Sequence, residues 1–181
     1  MRPYKIGFVV AAAALGFAAC SDDFPSLSPK SIARVLFGAT LDGPSERPTP
    51  VTSLTGAVGS ADVTFIPTYR DTTLKVDTNI VRVTVLVSTI DSVTQSHIHA
   101  GDANTAGPVM VFLLSNVAAG RAPITGTGKV LTQLDITRTS AFSAPFTFDS
   151  LITRIKAGTA YVNVHTRKNL GGEIRGQITL K

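Results

Sequence analysis

The three histidines of the chain, His97, His99 and His165, are the residues whose type and spacing could support chemistry. One residue separates His97 from His99, and a strand places alternate residues on the same face. Imidazole nitrogen is a preferred ligand of zinc and copper, and three histidines leave one coordination position open. If His165 reaches the pair from a second strand, the sequence predicts a mononuclear copper or zinc site.

A structural role is the alternative interpretation of the same three residues. Buried imidazoles need hydrogen-bond partners, and each ring supplies two nitrogens. In this interpretation His97 and His99 bond to the loop 101–107, while His165 anchors a C-terminal hairpin. In a third, intermediate interpretation, the histidines bind a metal ion that serves only to stabilise the fold. Spacing along the chain does not choose among them, because it does not encode strand order.

Five further residues are candidate supports for a metal site: Asp102, Tyr161, Asn163, Glu173 and Arg175. Asp102 follows the histidine pair closely enough to add a carboxylate ligand. Tyr161 and Asn163 share a strand face with the third histidine, where they could orient the ligands. The sequence contains no recognisable pairing of a nucleophile with a base, so no catalytic residue is assigned.

Glu173 and Arg175 alternate along the last predicted strand and therefore share a face. Arg175 beside a metal would guide an anion towards it. Alternatively, Glu173 and Arg175 belong to a cross-strand ion-pair network that fixes the register of the hairpin.

From residue 32 onward the sequence predicts strands and turns almost throughout. Ile80 to Val87 alternates valine with polar residues, whereas Val109 to Leu114 is a continuous apolar run typical of a strand buried on both faces. A hairpin is expected from Thr159 to Thr166 and Glu173 to Leu180. Many short strands indicate an all-β fold, specifically an antiparallel Greek-key-like β-sandwich or a barrel, with one short helix.

The single helix is expected at Asp149 to Ala157. Asp149 or Ser150 would cap its first turn, and Gly158 would end it in a left-handed conformation.

The N-terminal 20 residues resemble an export signal, with basic residues before an uncharged apolar run too short to span a bilayer comfortably. Small residues before Cys20 resemble a lipobox, which predicts lipidation of Cys20. Phe17 departs from the usual leucine, so simple secretion is the alternative. Residues 21–30 read as a flexible tether and 31–181 as one domain. The expected location is therefore an exported, membrane-anchored lipoprotein that faces the periplasm or the cell exterior.

The charge pattern excludes one class of partner. The net charge is +5, but Arg167-Lys168 is the only adjacent basic pair, so no surface for nucleic acid is indicated. Cys20 is the only cysteine, which rules out an intramolecular disulfide. The expected partners are the membrane, through the lipid anchor, and an unidentified envelope or extracellular protein.

Two ordered motifs carry a resemblance to a known family. The first is Ser96-His97-Ile98-His99-Ala100-Gly101 followed by Gly107-Pro108-Val109, and the second runs from Tyr161-Val162-Asn163-Val164-His165-Thr166 to Gly171-Gly172-Glu173-Ile174-Arg175-Gly176-Gln177. Both resemble the CHRD domain, which occurs in chordin and in bacterial exported proteins. Glu46-Arg47-Pro48 stands where the family usually has an acidic residue and two prolines.

The resemblance implies an exported β-domain that acts by binding or as a structural module, as in chordin, an extracellular growth-factor antagonist. The alternative is a copper- or zinc-binding domain with a metal-handling or superoxide-type redox role. The histidine pair also resembles the strand histidines of copper/zinc superoxide dismutase. That enzyme uses more histidines than this chain has, so a dinuclear site is excluded.

Overall fold

The computed structural model describes residues 33–52, 56–70, 75–115 and 124–181. The expected signal peptide, the lipidation site Cys20 and the tether 21–30 lie outside these residues. Within the described ranges, no helix combines the length and the apolar character needed to pass through a bilayer.

The described elements are ten strands and one helix, named here in chain order: β1 (Val35–Asp42), β2 (Val58–Arg70), β3 (Lys75–Ser88), β4 (Ile90–Ala100), β5 (Val109–Leu114), β6 (Ile124–Gly126), β7 (Lys129–Ile136), α1 (Phe148–Lys156), β8 (Ala160–Thr166), β9 (Ile174–Gln177) and β10 (Thr179–Leu180). Eight strands follow one another in the order β5-β4-β8-β9-β1-β2-β3-β7, while β10 pairs with β1 and β6 with β4. Every pairing is antiparallel.

The two ends of this sheet approach each other. The hydroxyl of Thr132 on β7 donates a hydrogen bond to the carbonyl of Leu113 on β5, at 3.1 Å. The sheet therefore nearly closes on itself, and side chains of its inner face pack against one another to form the core. The predicted all-β antiparallel fold with one short helix is confirmed.

The alternation predicted for β3 has its expected physical basis. Val81, Val83, Val85 and Val87 are at most 1% exposed and belong to the core. Arg82 lies on the opposite face and pairs with Asp135 of β7. Apolar and polar residues alternate along such a strand because one of its faces packs in the core and the other meets solvent.

The helix forms where it was expected, but its cap differs. Thr147, rather than Asp149 or Ser150, is the N-cap, and Ser150 completes a reciprocal capping box with it. Phe148 is thereby included in the first turn, where its side chain is buried. Gly158 follows with a φ of 67°, the left-handed conformation predicted for the helix end.

Two strands depart from their predicted patterns. Phe112 of β5 is 43% exposed, although the apolar run predicted burial on both faces. Phe112 pairs with His97 on the histidine-bearing face of the sheet, where its ring packs against the His97 ring on one side and meets solvent on the other. The last strand of the predicted hairpin is interrupted after Gln177, so β9 pairs with β8 whereas β10 pairs with β1.

The candidate site residues lie mainly on three adjacent strands, β4, β8 and β9. In the register, His97 lies opposite Asn163, which lies opposite Arg175. Tyr161 lies opposite His99 in the same way. One face of this three-stranded region is therefore polar, while its other face, which includes Ile98 and other apolar side chains, belongs to the core.

Candidate metal centre

The polar face of β4, β8 and β9 is buried rather than exposed to solvent. The side chains with little exposure include His97 (3%), His99 (9%), His165 (7%) and Arg175 (1%). Burial of so many polar groups in one place is costly unless each has a partner. The identity of those partners therefore indicates what this face does.

The three histidines converge, which the sequence alone could not show. One ring nitrogen from each of His97, His99 and His165 lies within 4.8 Å of the others. Tetrahedral zinc with bonds of 2.0–2.1 Å needs nitrogens about 3.3 Å apart, so the nitrogens must approach one another by up to about 1.5 Å to complete the geometry. Within the described ranges, no other cluster of metal-binding side chains has three or more members.

Two flanking loops hold two of the imidazoles in a defined tautomer. The Nδ1 atoms of His99 and His165 lie 2.8 Å from the carbonyl oxygens of Gly107 and Leu170, respectively. A carbonyl only accepts, so each Nδ1 carries the proton and each Nε2 keeps its lone pair. Histidines that ligate metals are commonly oriented by this kind of hydrogen bond.

Gly107 is required where it stands. A Cβ atom added to this residue would lie 1.6 Å from the carbonyl oxygen of Ala100. The absence of a side chain lets the loop approach β4 closely and brings the Gly107 carbonyl to His99.

His97 differs from the other two histidines because neither of its ring nitrogens has a hydrogen-bond partner. Its ring is perpendicular to that of Phe112, at a centroid distance of 4.5 Å. The rings of His99 and His165 lie 5.3 and 4.9 Å away. His97 is thus in contact with one aromatic ring and with the two imidazoles that would share its metal.

Burial keeps the imidazoles neutral. Desolvation lowers the pKa of His97 to about 3, with a further contribution from His165 and His99. Desolvation also lowers the pKa of His99 to about 4, although the hydrogen bond to Gly107 opposes the change. The pKa of His165 is lowered as well, again mainly by desolvation. Neutral imidazole is the form that binds a metal, so the site is ready for an ion even in mildly acidic solution.

Tyr161 and Arg175 form a stack on His99. The Tyr161 ring is nearly parallel to the imidazole, at 4.9 Å, and the Arg175 guanidinium lies 3.5 Å from the Tyr161 centroid. Arg175 also donates to the carbonyls of Asp102 and Thr105. Both residues therefore lie beside the histidines, and Arg175 fastens the 101–108 loop over them.

Asn163 connects the histidines to a residue that the sequence analysis did not assign to the site. Its amide nitrogen donates to both carboxylate oxygens of Glu46, at 2.8 and 3.0 Å. Glu46 is only 2% exposed. The available signal was that Glu46 lies in the turn that corresponds to the acidic-diproline turn of the family. Because 51 residues separate Glu46 from His97, spacing along the chain did not predict that Glu46 lies near the site.

The remaining candidates occupy the periphery. Glu173 accepts hydrogen bonds from Thr166 and Asn169, so it braces the turn that follows β8. The Asp102 carboxylate accepts from the backbone of Asn104 and lies outside the histidine cluster. Its backbone carbonyl, rather than its carboxylate, contributes by holding Arg175.

Unpartnered polar atoms are concentrated on this face. Of the eight buried side-chain polar atoms without a hydrogen-bond partner in the described part of the chain, seven belong to it. They are both ring nitrogens of His97, Nε2 of His99 and of His165, Oδ1 of Asn163, Nη1 of Arg175 and Oε1 of Gln177. The loop hydrogen bonds agree with a structural role for two Nδ1 atoms, but they leave the converging nitrogens unexplained.

Comparison with known proteins agrees with the two motifs described above. Neither curated proteins nor solved structures gave a match. A family model did match, over residues 37–178, a span that contains all three histidines, Glu46 and Arg175. The description of that model is the CHRD domain, and because it covers most of the sequence, the chain belongs to the CHRD domain family.

Proposed function

We propose that this CHRD domain is a binding module that holds one copper or zinc ion through His97, His99 and His165. Family membership supports a structural or binding role at the coarser level. The observation that carries the finer proposal is the convergence of three buried imidazoles, each of which has at least one ring nitrogen without a protein partner. Three nitrogen ligands suit either metal and leave a fourth position for an outside ligand.

Metal handling or structural stapling is favoured over redox turnover. All three histidines are at most 9% exposed, and two of them are hydrogen-bonded to flanking loops. A redox centre that consumes a small substrate needs an access path to its open position, whereas a storage or staple site benefits from closure. The superoxide-type role is therefore the second candidate. It is favoured only by the buried cation of Arg175 near the histidines.

We propose that the protein is located in the cell envelope. The apolar run before Cys20 supports export, and the small residues that precede Cys20 support lipidation there. An anchored domain would meet an envelope or extracellular protein partner. Mass spectrometry of the N-terminal peptide of the processed chain tests the anchor, because an unmodified Cys20 would argue against lipidation.

Metal content tests the proposed function. We expect the full chain, processed by the producing cell and free of a polyhistidine tag, to retain about one ion per molecule after loading with zinc or copper and desalting. Elemental analysis measures the ratio. Retention well below one ion, for both metals, would contradict the proposal and leave the histidines as structural hydrogen-bonding residues.

A further inference from the structure

A buried carboxylate next to the histidine cluster has no role in the coordination proposed above. Glu46 is 2% exposed and is bound by Asn163, which lies opposite His97 in the β4–β8 register. Gly172 makes room for this contact, because a Cβ atom there would lie 2.5 Å from the Asn163 amide nitrogen and 2.6 Å from the Glu46 carboxyl carbon. The chain thus brings an acidic residue from a distant turn to the polar face.

The charges of the cluster explain why such a residue would be needed. Three neutral imidazoles leave the full charge of a bound ion uncompensated, and the buried guanidinium of Arg175 adds a further positive charge. Within the described ranges, the cluster of metal-binding side chains contains no carboxylate. Positive charges in a poorly solvated region repel strongly, so a buried anion nearby would lower the free energy of the metal-bound state.

We propose that Glu46 is the charge-compensating residue of the three-histidine site, positioned by Asn163, and that it favours a divalent over a monovalent ion. The inference rests on the proposed function. Glu46 acts through the electrostatic field and through Asn163 rather than as a ligand. Its effect on an ion scales with the charge of that ion, which distinguishes it from a residue that merely supports the fold.

The groups that face Glu46 agree with this assignment. Arg175 stabilises its ionised form, as do the backbone N–H of Arg47 and the Asn163 amide, while Glu173 disfavours it. Burial outweighs them and raises the pKa of Glu46 to about 7. A metal ion nearby would favour the ionised form further, and measurements at pH 8 keep the carboxylate charged.

The test compares zinc(II) with copper(I) in the full chain and in the Glu46→Gln variant at pH 8, with competing chelators. Glutamine has nearly the same shape and can still accept from Asn163. We expect the zinc affinity to fall about tenfold, in the range typical of outer-shell partners, and the copper(I) affinity to fall only about threefold. Asp62→Asn, which removes an exposed carboxylate on β2, is the control and should change neither affinity.

The ratio of the two affinities decides the outcome. A fall in the zinc-to-copper(I) ratio supports charge compensation, because a loosened fold would weaken both ions alike. An unchanged ratio overturns the inference even if both affinities fall. If the unsubstituted chain binds neither ion, the proposed function itself fails; if it binds both and Glu46→Gln leaves the ratio unaltered, only the role of Glu46 fails.

Discussion

Replacement of His97 by alanine is expected to abolish retention of zinc and copper, with an affinity loss of more than about 100-fold, beyond that typical of outer-shell substitutions. His97 is the most informative of the three positions, because neither of its nitrogens bonds to a loop. His99→Ala and His165→Ala should lose the metal equally, but they also remove the hydrogen bonds to Gly107 and Leu170.

Gln95→Ala is the matched control for this experiment. Gln95 lies two residues before His97 on the same strand and opposite His165, and its side chain is not an imidazole. This variant should keep about one ion per chain if coordination requires the imidazoles. Metal retained by His97→Ala at the level of the unsubstituted protein would remove His97 from the site and reduce it to two ligands.

Acidification is expected to destabilise the metal-free protein strongly between about pH 6.5 and pH 4. The unfolded chain takes up protons on its histidines near the ordinary pKa of 6.5, whereas burial lowers the pKa of His97 to about 3 and that of His99 to about 4 in the folded protein. The unfolded state therefore binds more protons in this interval, and the free energy of unfolding falls as the pH decreases. The loss should be on the order of several kcal/mol.

Glu46 acts in the opposite direction over part of this interval. Its pKa is raised in the folded state to about 7, so the folded protein holds a proton there that the unfolded chain releases above about pH 4.5. Its contribution therefore rises as the pH falls from 7 to 4.5 and partly offsets the histidines.

Urea unfolding at several pH values measures the net result. His97→Leu should flatten the decline in the free energy of unfolding, because it removes the most strongly shifted group, while Glu46→Gln should steepen it between pH 7 and 4.5. Parallel curves for the unsubstituted protein and His97→Leu would show that His97 does not titrate as its burial requires.

The sequence was sufficient for the fold class and for the strands with strong periodicity. The valines of β3 alternate because one face packs in the core, and local spacing records this directly. The N-cap of α1 differs from the prediction because Thr147 and Ser150 form a capping box, and the helix therefore begins at the buried Phe148. Local preference favoured Asp149 and Ser150 as caps, but Thr147, which lies two residues earlier than Asp149, can also cap a helix.

The site was predictable only in part, since its assembly depends on pairings between distant segments. The spacing of His97 and His99 shows that they share a face, but their approach to His165 follows from the β4–β8 register. Glu46 reaches the cluster through a turn more than a hundred residues from Asn163. Arg175 could be placed on the correct strand face, yet its stacking on Tyr161 depends on the three-dimensional packing.

The most direct test of the metal site is nuclear magnetic resonance of the chain labelled with ¹⁵N only in histidine, recorded before and after addition of zinc. The chain has three histidines, so every imidazole signal can be assigned by substitution. We predict that His99 and His165 keep the proton on Nδ1 while their Nε2 resonances, together with one nitrogen of His97, move to the metal-bound position. Imidazole resonances that stay unchanged at saturating zinc would contradict a three-histidine metal centre.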